Sequence, residues 1–307
     1  MKILVTGGAG FIGSHIVDAC IEAGHRVVVL DDLSTGNREF LNPNATFYEM
    51  GIQDPSIKDI FAKEEIEVIN HHAAQSSVNV SVNDPVFDAS VNIIGSLHLL
   101  QNAVSFGVRK FLFASTGGAI YGDQEPIPAS EQHPCEPVSP YGIAKFCLEK
   151  YFLFYQKEYN LSALTLRYSN VFGPRQNPHG EAGVVAIFCN RLENNESPVI
   201  YGDGEQTRDF ISVHDVVRAN LIGLENFHAG IYNIGTGKET SVNSLTQSLI
   251  QVSGKNLAIQ YEPPRKGEPR RSAIDSQKFQ KEFGWKPSLD LEEGLRDTYE
   301  SFSTLAK

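Results

Sequence analysis

The sequence is poor in cysteine, gathers no basic cluster and has no long apolar run. Each shortage removes a class of function. Four cysteines stand far apart, at Cys20, Cys135, Cys147 and Cys189. None has the close spacing of metal ligands, so no metal site is expected, and scattered thiols fit a reducing cytoplasm. Basic residues are outnumbered, 26 Lys and Arg against 37 Asp and Glu, for a net charge of −11. With no basic run anywhere, nucleic acid is not an expected partner. No apolar stretch reaches the about 18 residues that cross a bilayer, so no membrane partner is expected either. The opening MKILVTGG has one lysine and a short apolar run that glycines end. It reads as a buried strand, not a secretory signal. Repeats and low-complexity segments are missing as well.

What is present is a regular alternation. The 307 residues, 41% hydrophobic and 21% charged, suffice for a large domain and a smaller companion. KILVTG, HRVVVLDD, EVINHHAA, KFLFAST and SALTLRY are short β-rich runs. Between them lie helical stretches, including a long one over 86–106 with Ile93, Leu97, Leu100 and Val104 at helical spacing, and another over 140–159. Strands separated by helices predict an α/β fold, a Rossmann-type doubly wound parallel sheet. Past residue 170 the rhythm breaks into Gly-, Pro- and Asn-rich stretches such as NPHGEAG and YGDGEQT. The expected division is 1–170, with a return around 210–237, and 171–307 as mostly a smaller C-terminal α/β substrate domain.

The first strand ends in TGGAGFIGS, with Gly7, Gly10 and Gly13 three apart and a helix directly after. Glycines here allow a tight turn, close approach of a pyrophosphate and close packing of helix on strand. The second strand ends at Asp31, 18 residues beyond Gly13. That is near the ~20 of a ribose-binding acid. A carboxylate there accepts ribose hydroxyls and repels a 2′-phosphate, so NAD is favoured over NADP.

In SPYGIAK, Ser139 is positioned to cap a helix and Pro140 to occupy its first turn. Tyr141 and Lys145 then share a face one turn apart. A tyrosine ionises near pH 10, so a nearby ammonium and a cationic nicotinamide are needed to bring it into the range of a base. Upstream, FASTGGAIYG places Ser115 and Thr116 at the C-terminal end of a parallel strand, where ligands bind. Either hydroxyl can hold the reacting group. Together with the glycine loop, these residues point to hydride transfer with proton handling by the protein.

TGGAGFIG, DDLSTGN, STGGAIYG, SPYGIAK, LRYSNVFGPRQ, GDGEQTRDFISVHDV and PPRKGEPRRS follow in this order over nearly the whole chain. The sequence resembles the extended short-chain dehydrogenases/reductases, and within them the UDP-glucose 4-epimerase group of the NAD-dependent epimerases and dehydratases. The resemblance implies tightly bound NAD, a UDP-sugar substrate and a transient 4-keto sugar. It assigns Gly7, Gly10, Phe11, Ile12, Asp31, Asp32, Ser34, Thr35, Gly36, Asn37, Ile52, Ala73, Ala74, Asn92, Tyr141, Lys145 and Tyr168 to the cofactor. Thr116 matches the catalytic hydroxyl, with Ser115 the second candidate. Gly117, Tyr141, Asn170, Gly183, Val184, Tyr201, Arg208, Arg265, Glu268 and Ser272 match substrate positions. The resemblance also implies a homodimer in which 86–106 and 140–159 pair across subunits.

Three features depart from many relatives. Gly51 stands where an aspartate would bond the adenine amino group. Gly117, Gly118, Ala119 and Ile120 include no acid, which argues against dehydration or decarboxylation after the oxidation. Ser272 is small where some relatives are bulky, so an N-acetyl group at C2 is expected to be tolerated. A UDP-glucuronate 4-epimerase, another nucleotide-sugar enzyme of this fold, and a non-catalytic NAD-binding protein are the competing readings.

Overall fold

Lys2–Thr6 forms β1, and Ile3, Leu4 and Val5 in it are fully buried. A strand covered on both faces has no polar side, which is why KILVT does not alternate. The computed structural model describes residues 1–179, 183–226, 228–264 and 269–305. After β1 come α1 (Phe11–Glu22), β2 (Arg26–Asp31), β3 (Thr46–Glu49), α2 (Ile57–Glu64) and β4 (Val68–His71). Next are α3 (Val78–Asn83), α4 (Pro85–Ala89), α5 (Ser96–Ser105), β5 (Lys110–Thr116), α6 (Gly117–Ile120), α7 (Pro140–Tyr159) and β6 (Ser162–Tyr168). With Gly230–Ile234 these six strands make a seven-stranded sheet, in the order Gly230–Ile234, β6, β5, β4, β1, β2, β3. β1 pairs in parallel with both β2 and β4, β2 with β3, and β4 with β5. The chain therefore reverses its direction of winding at β1, and the switch point opens a crevice at the C-terminal ends of β1 and β4. Leu4, Val28, Ile69, Phe111, Phe113 and Phe152 belong to the core beneath it.

The helix expected over 86–106 is one run with an altered middle. Ser90–Gly95, between α4 and α5, is π-helical. Gly95 lies where a Cβ would come within 2.6 Å of Ile52 Cγ1. Such bulges often sit at functional sites, and this one carries Asn92.

The chain divides into two compact units. The first comprises 1–120, 137–167 and 217–232, and the second 121–136, 168–216 and 233–307. The expected first domain, 1–170, thus loses 121–136 and 168–170, and the return is 217–232. Segment 121–136 joins the second unit through a bridge between Ala129 and Ile274. In that unit Thr207–Arg208 lies between Thr240–Ser241 and Arg271–Ser272, and Asn170–Phe172 pairs with Phe210–Ser212. Helices Val184–Glu193, Val242–Ser253 and Leu291–Leu305 enclose a core that includes Phe188, Leu245 and Leu295. Among the described residues no helix is long and apolar enough to cross a membrane, and no group of metal ligands gathers.

Candidate active site

Gly7 has φ +68°, and a Cβ on it would stand 2.7 Å from the Ala73 nitrogen. Only glycine fits there, because β1 and the segment after β4 meet at that point. A Cβ on Gly13 would stand 2.1 Å from the Gly7 oxygen, so α1 packs directly on the loop. Gly10 caps α1 without any side-chain bond to the first turn, where Phe11 and Ile12 begin the helix. The first-turn N–H groups are thus left for an anion, and the cradle fits the pyrophosphate of NAD.

Asp31 is 7% exposed. Its Oδ2 accepts from the Ala9 N–H and its Oδ1 from the Leu33 N–H, both at 2.9 Å. Burial raises this carboxyl and the two N–H groups oppose the rise. A Cβ on Gly36 would approach Asp31 Oδ1 to 2.7 Å, and the Asn37 N–H donates to the Ala9 carbonyl. Asp31 therefore stitches the Ser34–Asn37 turn to the glycine loop, and its carboxylate keeps lone pairs for ribose hydroxyls. Asp32 is exposed and accepts from the N–H and hydroxyl of Ser34, while Thr35 is exposed. A side chain at Gly51 would meet only ordinary contacts, 3.4 Å from Gln53 Oε1 and 3.6 Å from Asp32 Oδ2.

Ile52 is buried against Gly95. Ala73 and Ala74 are half-buried beyond β4, and the Ala73 N–H donates to Thr6 Oγ1 at 3.2 Å. Thr6 Oγ1 lies 2.7 Å from His71 Nδ1, and His71 Nε2 lies 2.8 Å from Ser96 Oγ. Asn92 is buried. Its Oδ1 accepts from the Gln75 N–H, and its Nδ2 donates to the Gln75 carbonyl and to Asp88 Oδ1. Its amide hydrogens are committed to shaping the segment after β4. Nothing in the sequence pattern revealed Thr6, His71 and Ser96 as the frame of that segment.

Ser139 caps α7 by accepting from the Gly142 N–H at 3.2 Å, and Pro140 is at the first position, as expected. A Cβ on Gly142 would lie 2.4 Å from the Ala119 oxygen, which explains the glycine after Tyr141. Successive residues of a strand face opposite ways, and this separates the two hydroxyl candidates. Ser115 Oγ donates to Glu149 Oε1 at 2.7 Å. Glu149, fully buried, also takes Arg167 Nε at 2.9 Å and Nη2 at 2.5 Å. The Ser115 proton is thereby committed to the core, a correction to its candidacy. Thr116 stays half-buried, and Gly117 follows it as the buried start of α6.

Lys145 is 3% exposed. Its Nζ donates to the Ala114 carbonyl at 2.9 Å and stands 5.9 Å from the Tyr141 ring centroid. Burial pulls the ammonium down to about 8, and Asp88 opposes the pull. Burial, then the charge of Asp88, pushes the Tyr141 phenol above its ordinary range. The lowering expected from the sequence needs the cationic nicotinamide as well as Lys145. Burial is the larger cause at the phenol, and the Lys145 Nζ is turned to a backbone carbonyl.

Tyr168 ends β6 and is buried. In the second unit the Asn170 N–H donates to the Asp209 carbonyl at 2.9 Å. Gly183 caps Val184–Glu193 with no side-chain bond, and its α-carbon faces Gln176. Tyr201 ends the strand Val199–Tyr201 and is half-buried. Arg208 Nη1 donates to the Thr207 carbonyl at 2.8 Å. Asp209 is buried and accepts from Thr236 and Gly237. Ser272 pairs in register with Arg208 and is buried, and its Oγ accepts from Gln124 Nε2 at 3.2 Å. Arg265 and Glu268 lie outside the described residues.

The chain matches the NAD dependent epimerase/dehydratase family over residues 3–235. It is similar to a UDP-glucose 4-epimerase of Thermotoga maritima solved with UDP-glucose, at 50% identity and TM-score 0.97 over 100% of both chains. A UDP-glucose 4-epimerase of Thermus thermophilus in complex with NAD gives 42% identity and TM-score 0.94, covering 98% of this chain and 99% of the other. A UDP-N-acetylglucosamine 4-epimerase of Methanobrevibacter ruminantium, in complex with UDP-N-acetylmuramic acid, gives 36% and 0.94, covering 99% and 98%. The family match takes in the glycine cradle, the end of β5 and the Tyr141 helix in one span, and the solved enzymes extend the likeness to the whole chain. The chain belongs to the NAD dependent epimerase/dehydratase family.

Proposed function

We propose that this protein is a UDP-hexose 4-epimerase that interconverts UDP-glucose and UDP-galactose through a transient 4-keto sugar. The carrying observation is the end of β5. Thr116 is free of the Ser115–Glu149 clamp, and the residues after it, Gly117 to Ile120, bear no functional side chain. Nothing in that loop can drive elimination or decarboxylation, so reversal of the oxidation is the remaining outcome. NAD, held by Gly7, Gly10, the start of α1 and Asp31, supplies the reversible oxidation at C4 when bound. Tyr141 takes and returns the proton of the sugar 4-hydroxyl, with Thr116 holding that hydroxyl. Burial keeps Tyr141 neutral in the protein alone, so it needs a cation to serve as a base, and the oxidised nicotinamide is one. Asn170, Gly183, Val184, Tyr201 and Arg208, with Arg265 and Glu268, are the proposed UDP contacts. Arginine suits a diphosphate because its planar fork binds two oxygens at once. UDP-glucuronate is the competing substrate, and its turnover in place of UDP-glucose would overturn the assignment.

UDP-GlcNAc is proposed as a second substrate, because Ser272 is small and a relative named for that sugar shares the fold over the full chain. Gln124 already lies against Ser272, so a tyrosine at 272 would crowd Gln124. Ser272→Tyr is expected to lower the UDP-GlcNAc to UDP-glucose rate ratio about ten-fold or more. An unchanged ratio would remove Ser272 from the specificity argument.

A homodimer through α4, the π-helical stretch and α7 is also proposed. Val86, Phe87, Ile94, Ile143, Leu153 and Phe154 are all exposed on these mutually packed helices, and an apolar surface of that kind favours burial by a second copy. Light scattering should give twice the chain mass, falling to one chain mass in Phe154→Lys; a wild-type monomer would refute it. A cytoplasmic location fits the four cysteines, none of which forms a disulfide.

A further inference from the structure

Asp209 is 1% exposed and directly follows Arg208. It is the single residue between the strands Thr207–Arg208 and Phe210–Ser212. Its carboxyl is the acceptor for four donors. Oδ1 takes the Thr236 N–H at 3.0 Å and the Thr236 hydroxyl at 2.5 Å. Oδ2 takes the Gly237 N–H at 3.1 Å and the Ile274 N–H at 3.4 Å. A Cβ on Gly235 would come within 2.5 Å of Oδ2, so a glycine lets the turn after Gly230–Ile234 close on the acid. Burial raises the carboxyl, and the bonds from Thr236, Gly237 and Ile274 oppose the rise. The backbone of the same residue has a further partner, since its carbonyl accepts from the Asn170 N–H at 2.9 Å.

Segments that carry proposed UDP contacts therefore meet on one residue. Asn170 is held through the Asp209 carbonyl, and Arg208 is its chain neighbour. Arg208 is flanked in register by Thr240 and Ser272. The carboxyl bonds both flanking chains, the one leading to Thr240 through Thr236 and Gly237, and the one following Ser272 through Ile274. We propose that Asp209 is a positioning residue for substrate binding, which acts through Arg208 and Asn170 by fixing both against the UDP diphosphate. This rests on the assignment of Arg208 and Asn170 to UDP given above. The fork of an arginine binds two oxygens only when its direction is set, so the hold on its strand matters. An acid is needed for that hold. An asparagine carries two hydrogens where a carboxylate has only lone pairs. Whichever way its amide turned, the NH₂ would face a backbone N–H, from Thr236 or from Gly237.

The test uses the protein with its bound NAD, and reads UDP affinity by calorimetry beside kcat and KM for UDP-glucose. Asp209→Asn is expected to weaken UDP about ten-fold, the scale of one hydrogen bond to a charged group. The loss should fall on KM rather than kcat. NAD content should be preserved, since Gly7, Gly10 and Asp31 belong to the other unit. Arg208→Ala is expected to weaken UDP by a similar factor. Combined, the two should weaken it by less than the product of the single losses, because Asp209 acts through Arg208. A lower melting temperature with UDP affinity unchanged, or losses that multiply, would overturn the proposal and leave Asp209 a structural acid. Should Asp209→Asn not fold, Thr236→Val removes one donor, keeps the shape and carries the same prediction at about three-fold. Arg208→Ala distinguishes the two failures. If it binds UDP like the wild type, the diphosphate assignment is wrong and the proposal falls with it. If it binds weakly while Asp209→Asn binds normally, only the role of Asp209 is lost.

Discussion

Tyr141→Phe should lower turnover of UDP-glucose by about 10²- to 10⁴-fold, the range that a positioned acid–base group contributes. The substitution removes one oxygen and leaves the ring. The ring lies in the first turn of α7, and the helix start depends on Ser139, Pro140 and Gly142, none of which is touched. Lys145 keeps its bond to the Ala114 carbonyl. The glycine cradle and Asp31 are likewise unaffected, so NAD content and UDP binding should stay near wild type. A loss of both turnover and NAD would mean the variant is misfolded, and a fall of less than about three-fold would show that another group moves the proton. Thr116→Val, which keeps the shape of the side chain, should give a smaller loss, because a hydroxyl that holds the substrate contributes less than the group that takes its proton.

Glu149→Ala should destabilise the fold by about 3–5 kcal/mol, the cost of leaving one member of a buried ion pair alone. Glu149 is fully buried and meets Arg167 through two parallel bonds, with Ser115 on the same oxygen as Nε. Alanine there strands a guanidinium inside the first unit and unties β5 from α7 and β6. Thermal melts should show a drop of about 10 °C for a chain of this size. The double variant Glu149→Leu with Arg167→Met should recover much of it, since an apolar pair of similar volume is often as stable as a buried ion pair. A melt within about 2 °C of wild type for Glu149→Ala would show that water reaches Arg167 and that the pair is not sealed. The consequence for function is indirect. Ser115 is the neighbour of Thr116, so the clamp fixes the end of β5 from which Thr116 projects.

Much of the first unit was legible because its signals are local. A strand buried on both faces reads as an unbroken apolar run. A glycine needing a positive φ stands at a fixed place in the loop. A helix that starts at Ser139–Pro140 carries its cap in the sequence. The features that escaped depend on partners far along the chain or on which way a side chain faces. Ser115 and Thr116 are equivalent in sequence, and only the pleat of β5, with Glu149 34 residues away, separates them. Asn92 reads as a polar residue in a long helix, while its partner is the backbone of Gln75, 17 residues earlier, reached through a π-helical stretch. Residues 121–136 follow the sheet in sequence, yet they join the second unit because Gln124 bonds Ser272 and Ala273, 148 and 149 residues on. The burial of Tyr141 and Lys145 escaped for a different reason, because a spacing of four residues does not show that both groups are desolvated. Glu149 did leave a trace, since it follows Lys145 by another four residues on the same helical face.

The measurement that tests the proposed reaction most directly is proton NMR of the anomeric signals of UDP-glucose, incubated with the purified protein and no added NAD. Steady growth of the UDP-galactose signal to equilibrium, with no net oxidation, is the predicted result, and it would show that the cofactor travels with the protein. A spectrum of UDP-glucose that stays unchanged after NAD is added would contradict the 4-epimerase assignment.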